Sequence, residues 1–317
     1  MSHASNGSSP LLNVVIASMC DDVRSVQLQR ACDSVRAMAA GHHYSIIVVA
    51  NGPRVSPALL GRLSAEPDVR VLQLRSGSYP MARRVGAEIA DGEFLAFLDD
   101  DDELLPNTFG AKLEFFHRHP DVDVLVTDGL RVNGTTVTRV FPPPAERSPD
   151  LIETMIRSGW GACAITLRRQ NVDLAAFDPA FRHLEWTLTT LELASRYRVG
   201  FLDEPTYRYY EDTPGSLSKN PERYVAPPEL WRRLSQSYAG TRYASIIRRR
   251  YGVECHQVAQ EYARHGQMRE AWRLHVESMR SPGGLAFIPF SAKLLIGPLQ
   301  RRLSRELSPR ASPSSVA

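Results

Sequence analysis

Four short apolar runs, each followed by a segment with helix signals, restrict this chain to very few architectures. "LLNVVIASM" (11–19), "SIIVVANG" (45–52), "VRVLQL" (69–74) and "FLAFL" (94–98) are dominated by Val, Ile, Leu and Phe. A strand that stays apolar without strict alternation is one buried on both faces, as in parallel sheets covered by helices. Between the runs, Asp21 or Asp22 is placed to cap a helix that turns Val23, Val26, Ala31, Val35 and Met38 inward and stops at Gly41. Ser56-Pro57 starts a second helix, Pro80 a third that reaches Ala90, and Pro106 a fourth with Phe109, Leu113 and Phe116 at helical spacing. Strand and helix therefore alternate four times, which predicts an α/β fold with a mostly parallel sheet flanked by helices.

"VDVLVTDG" (122–129) extends the sheet, and "RVNGTTVTRV" reads as a hairpin turning at Asn133-Gly134. A Pro-rich loop (142–150) leads into a helix, and "GACAITL" and "VGFLDEPTYRYY" read as strands flanking a helix over 184–197. From Glu229 onward the pattern is helical, with a helix-turn-helix pair around Gly266.

In doubly covered sheets ligands bind beyond the carboxyl ends of the strands. The fourth strand runs at that end into Asp99, Asp100, Asp101, Asp102 and Glu103. Consecutive carboxylates repel one another unless positive charge sits among them. One reading is an acidic loop screened by water and ions. The other is a metal site at the end of a buried strand, and the strand-end position favours it.

The totals fit one large domain, or one domain with an appendage: 317 residues, 43% hydrophobic, 23% charged, mean hydropathy −0.26. A net charge of +3 gives no nucleic-acid signal. The basic residues are uneven, however, and Arg232, Arg233, the Arg248–Arg250 run, Arg301, Arg302 and Arg305 all lie late in the chain. Cys20, Cys32, Cys163 and Cys255 show no metal-finger or CxxC spacing, which reads as reduced thiols and a cytoplasmic location. The start is polar without a basic leader, and no stretch approaches the roughly 18 apolar residues of a membrane span. Residues 284–305 mix Phe287, Ile288, Phe290, Leu294, Leu295, Ile296 and Leu299 with Lys293 and three arginines. That composition suits peripheral contact with the inner face of a membrane, the alternative being packing on the main domain.

Several segments in order resemble a family 2 glycosyltransferase with the GT-A fold, over about residues 11–220. "VVIASM" stands at the opening nucleotide-binding strand, and "IIVVANG" resembles the strand that holds the base. "ARRVGAEIADGEFLAFLDDDDELLP" is similar to the family's Ala-Arg-Asn-x-Gly helix, strand and Asp-x-Asp signature. "LEW" and "LDEPTYRYYEDTPGSLS" are similar to the catalytic-base region and the loop that closes over the diphosphate. A lone Asp-x-Asp is a weak signal; four segments in the right order are a strong one.

The resemblance implies a Rossmann-like GT-A domain at 11–225 and a helical C-terminal appendage at 226–307, with disordered ends at 1–10 and 308–317. It implies a metal-dependent, inverting transfer of a sugar from a nucleotide-sugar, UDP-sugar by default, to a hydroxyl on a glycan, lipid-linked or small-molecule acceptor. Mn²⁺ or Mg²⁺ suits all-oxygen ligands and neutralises the departing diphosphate. Alignment on Pro106 puts the Asp-x-Asp at Asp99 and Asp101, with Asp101 a metal ligand and Asp99 on the ribose or metal. Asp100 and Asp102 remain alternatives in register, and Asp212 or Glu211 would complete the metal shell. Ser18, Asn51, Arg83, Asp100 and Lys219 would contact the donor, and Trp160 and Gly161 would border the acceptor. Ser18 equally suits a helix cap, and Arg83 a surface helix. Arg84 and Asn51 depart from the family's usual Asn and Asp. Glu185, the carboxylate of "HLEWTL", is the expected general base, its alternative being an N-terminal helix glutamate. Rival classes are a non-catalytic nucleotide- or sugar-binding GT-A protein and a sugar nucleotidyltransferase, whose Gly-rich first turn "ASMCDDVRS" lacks.

Overall fold

The computed structural model describes residues 11–75, 77–159, 165–178, 181, 183–213 and 224–296. Contacts divide the chain into two compact units, Met1–Arg223 and Tyr224–Ala317.

The first unit is built on a mixed sheet. β1 (Leu12–Ser18), β2 (Tyr44–Asn51), β3 (Val69–Leu74) and β4 (Phe94–Asp99) are parallel and lie in the order β3-β2-β1-β4. Chain order thus runs outward from β1 to β3 and then jumps to the other side of β1. The reversal opens a crevice between the carboxyl ends of β1 and β4. Register brings Ser18 level with Ala50, and Ala17 level with Asp99, so Ser18, Asn51 and Asp99 share one rim.

Beyond β4 the sheet becomes mixed. β8 (Thr166–Arg168) is antiparallel to β4 and to β6 (Val124–Asn133). β6 runs parallel to β9 (Val199–Tyr210), and β9 pairs antiparallel with the two-residue β5 (Glu103–Leu104). β7 (Thr136–Arg139) closes the hairpin on β6, turning through Gly134 at φ +55°.

Both faces of the parallel strands are covered, which is why those strands need not alternate. Leu12, Val14 and Ile16 pack with Leu28, Ala31, Cys32, Val35 and Met38 of α1 (Ser25–Met38), together with Phe109 and Phe116 of α4 (Thr108–Arg118). On the opposite face α3 (Tyr79–Glu88) lies so close that a Cβ on Gly86 would sit 2.5 Å from a Val15 methyl and 3.1 Å from Val49. α2 (Pro57–Ala65) and α3 start where Ser56 and Ser78 accept from the Leu59 and Met81 amides. α5 (Leu151–Ser158) and α6 (Glu185–Arg196) complete this unit's longer helices.

One expectation fails at the first helix. Val23 and Val26 point outward, at 77% and 76% exposure, and the buried position on that turn belongs to Arg24. The chain forms a short 3-10 turn over Asp22–Arg24, capped by Asp21, before α1 begins. That turn rotates the guanidinium inward because carboxylates are waiting for it.

The second unit contains α7 (Pro227–Ser237), α8 (Ala244–Arg264) and α9 (Met268–Arg280), with Gly266 at φ +76° between the last two. Its core gathers Cys255, Val258, Ala259 and Leu274 under Tyr251, Tyr262 and Phe290.

Gly86→Ala should therefore lower stability by about 1–3 kcal/mol, because α3 must lift off β1 to admit the methyl. Urea unfolding of the purified chain checks this, and an unchanged midpoint would refute the close packing.

Candidate active site

The end of β4 sorts its four aspartates by what each touches. Asp100 is buried; Ser18 Oγ donates to its Oδ2 at 2.6 Å, and Arg24 Nη1 lies 3.1 Å from its Oδ1. Ser18 is thus committed to Asp100 and accepts from the Cys20 amide at 3.0 Å, and Asp21 does the capping instead. Asp102, also buried, accepts from the Tyr210 amide at 3.1 Å and ties the β4–β5 turn to β9. Asp99 and Asp101 keep partly open carboxylates, with side chains 28% and 13% exposed.

Two buried arginines meet this cluster. Arg24 Nη1 also reaches Asp101 Oδ2 at 3.1 Å. Arg83 of α3 spans Asp99, at 2.7 Å, and Glu185, at 2.6 Å, so one guanidinium joins the end of β4 to the first residue of α6. Burial alone would lower the Arg83 pKa, but Asp99 and Glu185 outweigh it and hold the group firmly charged. Its guanidinium stacks 4.3 Å above the Trp186 ring, and the Trp186 indole N–H lies 3.4 Å from both Asp99 oxygens. Arg83 is therefore no surface arginine.

Backbone strain marks the same places. Cys20 and Leu184 are two of the three non-glycine residues at positive φ among the described residues, at 49° and 59°. Leu184 directly precedes Glu185, and a bulky residue in that region persists only where its surroundings over-determine it.

Electrostatics leave the cluster short of cations. Burial, then the neighbouring aspartates, push the Asp100 carboxyl up to about 7 against the pull of Arg24 and Ser18. Burial first, and Asp99 next, raise Asp101 as well. The carboxylates of Asp99, Asp100, Asp101 and Glu185 share two guanidiniums, Arg24 and Arg83.

The donor set fits a divalent cation held from one side. Among the described residues no group of three or more His, Cys, Asp and Glu could hold a metal by itself. Two half-open carboxylates, Asp99 and Asp101, suit an ion whose other positions are filled by phosphate oxygens and water, the habit of Mg²⁺.

The remaining expected residues lie as follows. Asn51 is buried at the end of β2, its Oδ1 accepting from the Ser78 amide at 2.7 Å. Asp212 accepts from the Gly134 amide at 3.3 Å on the β6–β7 turn, and Glu211 pairs with Arg131 on β6. Lys219, Trp160 and Gly161 lie outside the described residues. Arg24 was missed in the sequence; its only signal is that four aspartates require a cation close by.

A family model described as "Glycosyl transferase family 2" matches residues 23–169, which span the crevice from Arg24 to β8. This segment is a family 2 glycosyltransferase domain. The chain is 28% identical over 143 residues to an uncharacterised protein, y4gI, of Sinorhizobium fredii, covering 44% of this chain and 16% of that one. It is 24% identical over 219 residues to an uncharacterised glycosyltransferase, YibD, of Escherichia coli, covering 61% of this chain and 63% of that one. The chain thus spans less than two thirds of both relatives. Among solved structures, S. aureus TarS 1–349 in complex with UDP-GlcNAc matches with TM-score 0.63 and 16% identity, over 85% of this chain and 80% of that one. TarS 1–349 without that ligand matches with TM-score 0.59 and 15% identity, over the same shares. At such identities the likeness is one of fold, and the fold is GT-A.

Two outcomes are expected of the family 2 domain's cluster. Arg24→Gln should destabilise the EDTA-treated protein by about 3–5 kcal/mol, since it strands the buried Asp100 and the partly buried Asp101. Urea unfolding measures it, and a loss below about 1 kcal/mol would contradict the pairing. A carboxyl whose pKa is higher folded than unfolded takes up a proton on folding, so stability falls as pH rises through that window. The EDTA-treated protein should lose stability between the ordinary carboxylate range and about pH 7 and level off above it. Asp100→Asn should flatten this slope in melting curves; a slope of equal size in the variant would move the proton elsewhere.

Proposed function

We propose that this chain transfers a sugar from a UDP-sugar to a hydroxyl acceptor with inversion at the anomeric carbon, assisted by Mn²⁺ or Mg²⁺. The observation that carries the reading is the shared arginine: Arg83 links Asp99, on the donor side, to Glu185, where an acceptor hydroxyl would be deprotonated. Support for the donor class comes from the TarS structures, which hold UDP-GlcNAc or UDP on a like fold.

The charge balance supports the cation. A diphosphate entering a pocket already in carboxylate excess would be repelled. Asp99 and Asp101 would hold the ion, which when bound neutralises charge on the departing diphosphate. Ser18 and Asn51 act from behind the rim, Ser18 by fixing Asp100 and Asn51 by fixing the turn before α3.

Glu185 takes the proton of the acceptor hydroxyl while that oxygen attacks the anomeric carbon. The bond from that carbon to the diphosphate oxygen breaks on the opposite face, and the oxygen leaves with the electron pair. Arg83 and Trp186 orient Glu185 and Asp99 toward one point. Apo hydrogen bonds at catalytic groups commonly rearrange when substrate arrives, so the Arg83–Glu185 pair is compatible with a base.

Thermal stabilisation by UDP-sugars with Mn²⁺, followed by donor hydrolysis, tests the proposal. Asp101→Ala should abolish Mn²⁺-dependent stabilisation, while Glu185→Gln should keep it and lower kcat by about 10²–10⁴-fold. Undiminished activity in EDTA would remove the ion from the mechanism. Glu185→Gln activity within a few-fold of wild type would make Glu185 a structural partner of Arg83.

A further inference from the structure

The segment after α9 divides its apolar residues between two faces. Phe287 stacks on His256 at 4.3 Å, Phe290 meets His256 and His275 edge-on, and Leu294 is buried. Ser291 Oγ bonds the buried His275 Nε2 at 2.7 Å and pins the segment down. Composition alone puts these residues in one lipid-facing set with their neighbours; packing turns them inward. Leu285, Ile288, Leu295 and Ile296 turn outward, at 76%, 49%, 63% and 50% exposure. They are four of the eight exposed large apolar side chains among the described residues, and they fall within 12 consecutive positions, so the exposure is concentrated rather than scattered.

We propose that this face docks the C-terminal unit on an anionic lipid surface. Charge identifies the occupant. Residues 224–317 carry 15 Lys and Arg against six acidic residues, a balance of +9. Residues 1–223 carry 23 against 29, a balance of −6. Lys293 is exposed two positions before Leu295, and Arg249 Nε lies 4.0 Å from where a Cβ on Gly283, two residues before Leu285, would sit. Aliphatic side chains with basic ones beside them match the boundary between acyl chains and anionic headgroups.

Other occupants match less well. A second copy would set two +9 units against each other. Single-stranded nucleic acid is gripped by stacking on aromatic rings, and this outward face has none. The anchoring needs no spanning helix, and no described helix is long and apolar enough to cross a membrane.

Flotation of the full chain on phosphatidylcholine vesicles, with and without phosphatidylglycerol, tests the proposal. The protein should float with the anionic vesicles, weakly with the neutral ones, and less as salt rises. Changing Leu285, Ile288, Leu295 and Ile296 together to Ser should cut partitioning by about tenfold or more. Lys293→Ala and Arg249→Ala should each cut it about fivefold. All three variants should keep the wild-type melting temperature, since these side chains are exposed. Equal flotation of the Ser variant, equal binding to both vesicle types, or no flotation would each overturn the proposal. So would a dimer in light scattering that the Ser variant abolishes, which would give the face to a second copy.

Discussion

The arginines that meet the aspartates of β4 are the condition on which the first unit rests. Two like charges 4 Å apart, at an effective dielectric constant near 20, repel by about 4 kcal/mol. Four adjacent aspartates without partners would cancel much of the roughly 5–15 kcal/mol that keeps a domain folded. Each is answered separately: Asp99 by Arg83 and Trp186, Asp100 by Arg24 and Ser18, Asp101 by Arg24, Asp102 by the Tyr210 amide. The partners come from β1, the turn before α1, α3, α6 and β9. The cluster therefore fixes how these elements converge.

That convergence explains why the site stands where it does. The switch in strand order between β1 and β4 opens the crevice, and the parallel register sets Ser18, Asn51 and Asp99 along one rim. Gly86 lets α3 sit against β1 without a side chain between them, which carries Arg83 within reach of β4. The left-handed Leu184 then turns the chain so that Glu185 begins α6 facing the same guanidinium. Asp99, Asp100, Asp101 and Glu185 still outnumber Arg24 and Arg83, the two guanidiniums they share.

The two units differ in the sign of their charge and in how they use apolar residues. The first unit buries β1 and most of β2 and β4 and keeps its acidic excess, part of it gathered at the crevice. The helical unit carries the basic excess and leaves an aliphatic face outside.

The alternation of apolar runs with capped helices determined the α/β class, the parallel order of the first strands, and the strand end that carries Asp99–Asp102. These are local consequences of burial and of period, and neighbours in sequence decide them. Resemblance supplied Glu185 and Arg83 as residues of interest. What remained hidden depends on partners distant in sequence. Arg24 is 76 residues from Asp100, and Arg83 is 102 from Glu185. A periodic reading turned Val23 and Val26 inward because apolar residues usually point that way. The buried aspartates gained more from a guanidinium on that turn, and the valines were left outside. In the same way "FIPFSAKLLI" shows that the segment is amphipathic but not which residues face out, because Ser291 and the two histidines settle that by packing. Pattern decides what can be buried; only the tertiary structure decides which charges are buried together.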